Sequence, residues 1–475
     1  MKTNTTTKQA IKESSAALGK QRSYNEIIEF LDAHWKTNST DKGLTVIKKL
    51  DQALGTPSQK VNTVLVAGTN GKSLTINFAA QLLREEGLAV GTFYSPHILT
   101  YNERLAINNE TISNKTFTEL GNEVINTAQS LDLTPNSYEV LTIMALLFFK
   151  NSGVDVALLE VSKGGVFNAT TICTPKIAAI TRIITDDEQA MKNEIIETLG
   201  VVKENTYVVC ADQSKLNLQI MHDLVKEKKG VWSMPIRKLA ALPYPFEQLH
   251  GRCAALAERI SHTFINSYTN KNAIIANTLL SKQKGRRGRP TLEAKRQSEL
   301  NPKRTVDQFW KETSNSLPAR FQLLDKEKPS ILLDNATNLD AFKNLLLGIR
   351  LLHYQKPLKG ITLILACNNT ELDLGEFLKL LRYFFKKTSG QVIVCPVNQV
   401  PGQHEGSSLD VEKATNDIKS MKIKARSAKN FKEAFEIAQK TVDERHGLLV
   451  VTGSSAIVSE YWHYKGIKKL AAATA

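Results

Sequence analysis

The stretch Asn62-Thr63-Val64-Leu65-Val66-Ala67-Gly68-Thr69-Asn70-Gly71-Lys72-Ser73 runs from an apolar, β-branched segment into a glycine-bearing turn that ends in Gly-Lys-Ser. Helical spacing of apolar residues follows over 74–86. Strand, glycine loop and helix in that order make a phosphate cradle. Glycines let backbone N–H groups converge on phosphate oxygens, and a lysine neutralises the β and γ phosphates. The next hydroxyl can hold a divalent cation, and the helix adds its positive dipole end. Only two residues separate Gly68 from Gly71, so the loop is shorter than the usual form with four. A tight Gly-Lys turn without function is the alternative; the strand before and the helix after favour the cradle.

Working outward, apolar runs at 154–161, 177–184 and 206–210 alternate with helical spacing at 117–131, 140–149 and 188–199. That alternation predicts βαβ units and a mostly parallel sheet. Upstream, 24–34 and 43–54 read as helices, the second closed by Pro57, and 251–267 reads as another after an irregular stretch from 240. Beyond residue 317, strands at 330–334, 361–367, 391–397 and 448–452 are separated by helices at 340–352, 374–385 and 431–442. The expected fold class is α/β: a P-loop domain with a mostly parallel sheet, plus a smaller C-terminal Rossmann-like α/β domain. The expected boundaries are a flexible tail at 1–22, the P-loop domain at 23–269, a basic insertion or linker at 270–316 and the C-terminal domain at 317–475. A length of 475 residues fits more than one core, since single cores seldom pass about 250–300 residues.

Composition narrows the class of function. Hydrophobic residues at 42% and charged residues at 23% describe an ordinary globular chain. The longest uncharged apolar run, 141–149, is far below the roughly 20 residues that span a bilayer, so no membrane crossing is expected. The five cysteines are odd in number and scattered, which suggests a reducing, cytoplasmic setting, and the nine histidines form no zinc pattern. Any metal should therefore be held by oxygens. The formal charge is +15, and residues 271–310 alone hold ten Lys/Arg against three acids, a net +7. Within that segment 284–290 reads Lys-Gly-Arg-Arg-Gly-Arg-Pro, whose Arg-Gly-Arg-Pro core is of the kind that enters the minor groove of A·T-rich DNA. A solvated basic linker is the plainer reading, with nucleic-acid binding the alternative.

The shortened loop Val66 to Ser73 resembles the ATP site of the Mur ligase superfamily, and its neighbours are similar to those of folylpolyglutamate and dihydrofolate synthases. Ser95-Pro96-His97 with Tyr101-Asn102-Glu103-Arg104-Leu105 resembles that family's S-P-H-L…E-R-I signature. Gly43-Leu44 with Leu54 to Pro57 resembles its lead-in helix, and Tyr138 to Thr142 its F-E-x-L-T helix. Leu159-Glu160-Val161, Gly164-Gly165 and Ala169-Thr170 follow its glycine-rich stretch. In the second domain Pro318-Ala319-Arg320-Phe321 stands for P-G-R-F, and Asp334 to Asn338 for D-G-A-H-N. The resemblance implies ATP and Mg²⁺ as cofactors, a folate-type carboxylate and glutamate as substrates, and amide formation through an acyl phosphate. It implies Gly68, Thr69, Asn70, Gly71, Lys72 and Ser73 on the nucleotide, joined from the second domain by Arg320, Asp334 and Asn338. Lys72 and Glu160 are the implied catalytic pair, and Ser73, Ser95, Glu160 and Asp187 the implied metal ligands. Each has a plainer role available: a strand cap for Glu160, loop formation for Ser95, a strand end and helix cap for Asp334 and Asn338.

Several positions depart from the family's pattern. Asp186-Asp187 stands where an aspartate is followed by a histidine, and Thr198 where a lysine is carboxylated. Ser162-Lys163 and Val166-Phe167-Asn168 alter the glycine-rich stretch, Cys253, Ala254 and Ala257 replace polar residues after Gly251, and Thr337 replaces a histidine. Two accounts fit these changes: a diverged ligase that uses Asp187 for the altered metal position, or a nucleotide-binding pseudoenzyme.

Overall fold

The structure, a computed structural model, describes residues 19–35, 43–185, 188–240, 242, 246–268, 305–313, 317–367, 372–403 and 408–470. Eight strands make the first sheet: β1 Thr63–Ala67, β2 Val90–Phe93, β3 Leu105–Ile107, β4 Glu110–Thr111, β5 Val156–Glu160, β6 Ile177–Ile180, β7 Tyr207–Cys210 and β8 Val231–Ser233. Their order is β4-β3-β2-β5-β1-β6-β7-β8, parallel except for the antiparallel edge formed by β3 and β4. β1 is central and wholly buried. Leu65 and Ala67 point into a core shared with helices Asn114–Ser130 and Ser137–Asn151, while Val64 and Val66 point into a core under Lys72–Glu85 and Phe246–Tyr268. Burial on both faces is why this strand reads as a continuous apolar run rather than an alternating one.

The second sheet has β9 Gln322–Leu324, β10 Ser330–Leu333, β11 Ile361–Leu365, β12 Gly390–Val394, β13 Ala425–Ser427 and β14 Leu448–Thr452, ordered β13-β12-β11-β14-β10-β9. Only β9 is antiparallel, to β10. Helices Leu339–Gln355, Leu374–Phe385 and Val411–Ser420 cover one face, and Phe431–Thr441 and Ser455–Tyr464 the other. Both sheets are thus layered as the α/β expectation required.

Details differ from the sequence reading. Pro57 opens the short helix Pro57–Lys60 at its first position instead of closing the preceding one, since its missing N–H costs nothing there. Helix Phe246–Tyr268 starts five residues before the expected 251. Inside the span expected to be linker, Val306–Glu312 is a helix closed by a Thr305/Gln308 capping box. Its Phe309 and Trp310 are buried in the first domain's core, with Trp310 edge-on to Phe78 at 5.4 Å. The tail 1–18, Asp187 and the basic stretch 284–290 lie outside the described residues. Among the described residues no helix is long and apolar enough to cross a membrane, and all five cysteines are free.

Candidate active site

The loop after β1 depends on two glycines in left-handed conformation. Gly68 has φ +122°, and a Cβ there would lie 2.3 Å from Thr181 Oγ1; Gly71, at φ +90°, caps helix Lys72–Glu85. The loop is stitched to the chain beyond β6: Thr69 N donates to Arg182 O at 2.9 Å, and Ile184 N donates to Thr69 Oγ1 at 3.0 Å. Lys72 Nζ donates to Gly68 O at 2.9 Å and Thr69 O at 3.2 Å, which folds its ammonium over the turn. Burial lowers its pKa, with Arg320 adding to that effect and Glu160 and Glu194 opposing it.

Glu160 closes β5 at the sheet's carboxyl edge beside this loop, and it is only 3% exposed. Ser73 Oγ donates to its Oε1 at 3.1 Å, and the amide of Ser95 donates to its Oε2 at 3.2 Å. Tyr138 Oη donates to its backbone carbonyl at 2.8 Å from the facing helix. Burial raises the carboxyl pKa against the pull of Lys72 and Arg320. The side chain therefore organises two loops rather than capping a strand.

From the second domain, Arg320 sits between Ala319 at φ +58° and Phe321 at φ +51°. Left-handed non-glycine residues cost about 1–3 kcal/mol each, and here they turn the guanidinium into the cleft. Arg320 Nη2 donates to Ser73 Oγ at 3.2 Å. Asp334 follows β10 and accepts from Phe321 N at 2.8 Å and Ala336 N at 2.9 Å, while burial pushes its pKa up to about 6. Asn338 caps helix Leu339–Gln355 by accepting from Ala341 N at 2.9 Å. It also pairs with Asn70 across the cleft, its Nδ2 donating to Asn70 Oδ1 at 2.9 Å and its Oδ1 accepting from Asn70 Nδ2 at 3.0 Å. Asp340 joins this cluster, accepting from Asn70 Nδ2 at 3.1 Å and pairing with Arg182 at 3.3 Å.

These groups surround one cleft of about 1690 Å³ between the sheets, lined by Gly68 to Ser73, Ser95, Glu160, Arg320, Asp334 and Asn338. Every candidate among the described residues is thus brought to a common wall; Asp187 lies outside them. Asp340, Arg182 and Gln403 line it too, although no local signal marked them, because their partners lie far away in the chain. Thr198 and Thr337 face the same cleft.

No protein-family model matches the chain. A dihydrofolate synthase/folylpolyglutamate synthase of Bacillus subtilis is 33% identical over 225 residues, 46% of this chain and 49% of that protein. The matched segment therefore spans about half the length of that relative. A folylpolyglutamate synthase of Lacticaseibacillus casei is 25% identical over 362 residues, 72% of this chain and 80% of that one. The chain is thus similar in sequence to folylpolyglutamate and dihydrofolate synthases. The fold agrees with that similarity. A Mycobacterium tuberculosis folylpolyglutamate synthase, solved in complex with ADP and AMPPCP, superposes with a TM-score of 0.72 at 18% identity, covering 95% of this chain and 98% of that one. A Yersinia pestis bifunctional folylpolyglutamate synthase/dihydrofolate synthase, complexed with AMPPNP and Mn, gives 0.69 at 20% identity over 94% and 98%. The cleft of this chain gathers the loop, Lys72, Ser73 and Glu160.

The groups on the cleft wall fit a nucleotide phosphate and a hard cation. A Cβ on Gly68 would collide with Thr181, so only a bare backbone fits at that point of the loop. Ser73 and Glu160 add oxygen donors at 3.1 Å from each other. One carboxylate and a hydroxyl are what a magnesium ion takes from protein when phosphates and waters complete its shell. Among the described residues no cluster of three or more His, Cys, Asp or Glu could hold a metal alone.

Proposed function

We propose that this protein is an ATP-dependent ligase that joins glutamate to a folate-type carboxylate. The observation that carries the reading is the double use of Ser73: it donates to Glu160 from the phosphate loop and accepts from Arg320 of the other domain. The relatives' names and the nucleotide complexes of the structural neighbours support it. Lys72, with its ammonium over the loop, neutralises the β and γ phosphates of ATP. Ser73 and Glu160, with Ser95 beside them, would hold Mg²⁺, which would supply charge neutralisation for the transferring phosphoryl group. Arg320, Asp334 and Asn338 bring the second domain onto the nucleotide.

In the reaction the acceptor carboxylate takes the γ-phosphoryl group, releasing ADP and leaving an acyl phosphate. The glutamate amine attacks that carbonyl, the C–O bond to phosphate breaks, and the nitrogen loses a proton as the amide forms. The desolvated site around Arg320 and Lys72 stabilises the charge that builds on the phosphoryl oxygens. Phosphate release with ATP, Mg²⁺, tetrahydrofolate and glutamate tests the proposal. Turnover is expected in the native protein, with a loss of about a hundredfold or more in Lys72→Ala.

Thr198, 2% exposed and lining the cleft, supports a second reading, since a threonine cannot be carboxylated where the family places a modified lysine. In that reading the protein binds nucleotide without turning it over. Native protein that binds ATP but releases no more phosphate than Lys72→Ala, with tetrahydrofolate or dihydropteroate, decides for it.

A further inference from the structure

Between β2 and the short helical turn Tyr101–Arg104 lies a loop that belongs to both domains. It is rigid, because the Glu103 carboxylate accepts from the amides of Ile98 at 2.8 Å, Leu99 at 3.0 Å and Thr100 at 2.8 Å. At one end the amide of Ser95 holds Glu160 Oε2 at 3.2 Å. In its middle, Ile98 is 4% exposed and packs into the second domain's core with Ile331, Ile364 and Val451. A segment of the first domain is therefore embedded in the second.

Side-chain hydrogen bonds centred on Gln403 reinforce that packing. Gln403 Nε2 lies 3.1 Å from His97 O, 3.1 Å from Ile98 O and 3.2 Å from Ser459 Oγ, so two amide hydrogens are shared among three acceptors. Ser459 Oγ in turn donates to Ile98 O. Beside it Arg104 donates to Gly402 O, and its Nε lies 3.1 Å from His97 Nδ1. Gly402 has φ +75°, and a Cβ there would meet Tyr101 Cε1 at 2.8 Å and His97 Cε1 at 2.9 Å, so its bare backbone lies directly on the two rings. Gln403 itself is 7% exposed, and its amide hydrogen bonds go to His97, Ile98 and Ser459 rather than to Glu160, Ser73 or Lys72.

We propose that Gln403 is a positioning residue: it registers the 95–104 loop against the second domain and thereby sets the Glu160 carboxylate beside Ser73. The inference rests on the ligase reading for its effect on turnover, but its effect on cation-dependent nucleotide binding stands without it. Without the Gln403 amide the His97 carbonyl loses its donor and the Ile98 carbonyl keeps only Ser459 Oγ, so in this buried setting the carbonyls rearrange to find another donor and the loop moves with them. A displacement of about 1 Å at Ser95 is enough to cost ten- to hundredfold in a reaction that depends on alignment.

The test compares native protein with Gln403→Met, which keeps length and loses every donor, and with Ser459→Ala, which loosens the same carbonyl by a smaller change. AMPPCP binding is measured by calorimetry with and without Mg²⁺, alongside phosphate release. Gln403→Met is expected to keep its metal-free affinity and binding stoichiometry within about twofold. It should lose about tenfold of the tightening that Mg²⁺ confers, and kcat should fall by about ten- to hundredfold. Adding Ser459→Ala to Gln403→Met should cost less than the sum of the two single losses. Native-like Mg²⁺ dependence in Gln403→Met overturns the proposal. If Gln403→Met does not fold, native Mg²⁺ dependence and native kcat in Ser459→Ala overturn it, and a loss of both supports it. A native protein that binds AMPPCP with Mg²⁺ yet releases no phosphate defeats the ligase reading alone.

Discussion

Asp334 shows how burial and hydrogen bonding compete at a single carboxylate. Two backbone amides and the nearby Arg320 all favour its charged form, yet burial prevails and its pKa rises to about 6. A folded-state pKa above the ordinary carboxylate value means that protonation favours the fold. The stabilising contribution is full below pH about 4 and is lost as pH rises through about 6, for a change of at most about 3 kcal/mol. Urea titrations from pH 4 to 7 should therefore show a fall in stability that is flatter in Asp334→Asn. Gly68 carries a different constraint, purely steric. With φ at +122° and Thr181 Oγ1 2.3 Å from an added Cβ, Gly68→Ala should abolish nucleotide binding in calorimetry and lower stability by more than about 1 kcal/mol. The loop that holds Gly68, Lys72 and Ser73 is legible from spacing alone because it is local: its residues are sequence neighbours and its geometry is set within one turn.

Helix Val306–Glu312 illustrates why elements are harder to read than loops. It follows a strongly basic stretch, and its only apolar signal is the triplet Val306, Phe309 and Trp310 at helical spacing. Those few residues suffice because Trp310 fills a slot against Phe78 at 5.4 Å and its indole Nε1 donates to Glu258 at 3.4 Å. Arg237 ties the same helix to the cleft's rim, bonding Asp307 at 2.7 Å and Glu258 at 2.9 Å. Trp310→Ala should cost about 3–5 kcal/mol by thermal or urea denaturation, the range for emptying a buried aromatic site. Helices Val411–Ser420 and Ser455–Tyr464 were absent from the sequence reading for a related reason. The first is amphipathic, but its buried stripe is only Ala414, Thr415 and Ile418, too few large apolar residues to stand out, and the second is buried along most of its length and so lacks a polar face to set the period.

At the scale of the whole molecule, the contacts that join the domains differ in kind from place to place. Near Ile98 and Gln403 the junction is buried and continuous with a core, whereas at Asn70, Asn338, Arg182 and Asp340 it is polar and partly exposed, with Arg182 43% and Asp340 18% accessible. A partly exposed pair of this kind is worth no more than about 1 kcal/mol, so Asp340→Ala should weaken nucleotide affinity by about fivefold or less and leave the melting temperature nearly unchanged. Calorimetry and a thermal scan check both halves of that expectation. The sequence by itself determined the α/β layering and the glycine loop between β1 and the helix Lys72–Glu85, because strand burial, glycine conformation and helix capping are written over short spans. It also placed Arg320, Asp334 and Asn338 among the candidates through their motif. Only the tertiary structure decided that Arg320 reaches Ser73, that Asn70 faces Asn338 and that Gln403 holds the loop of Ile98. Those pairs are separated by 247, 268 and 305 positions, and contacts at such range follow from how two sheets pack, which no local pattern of residues records.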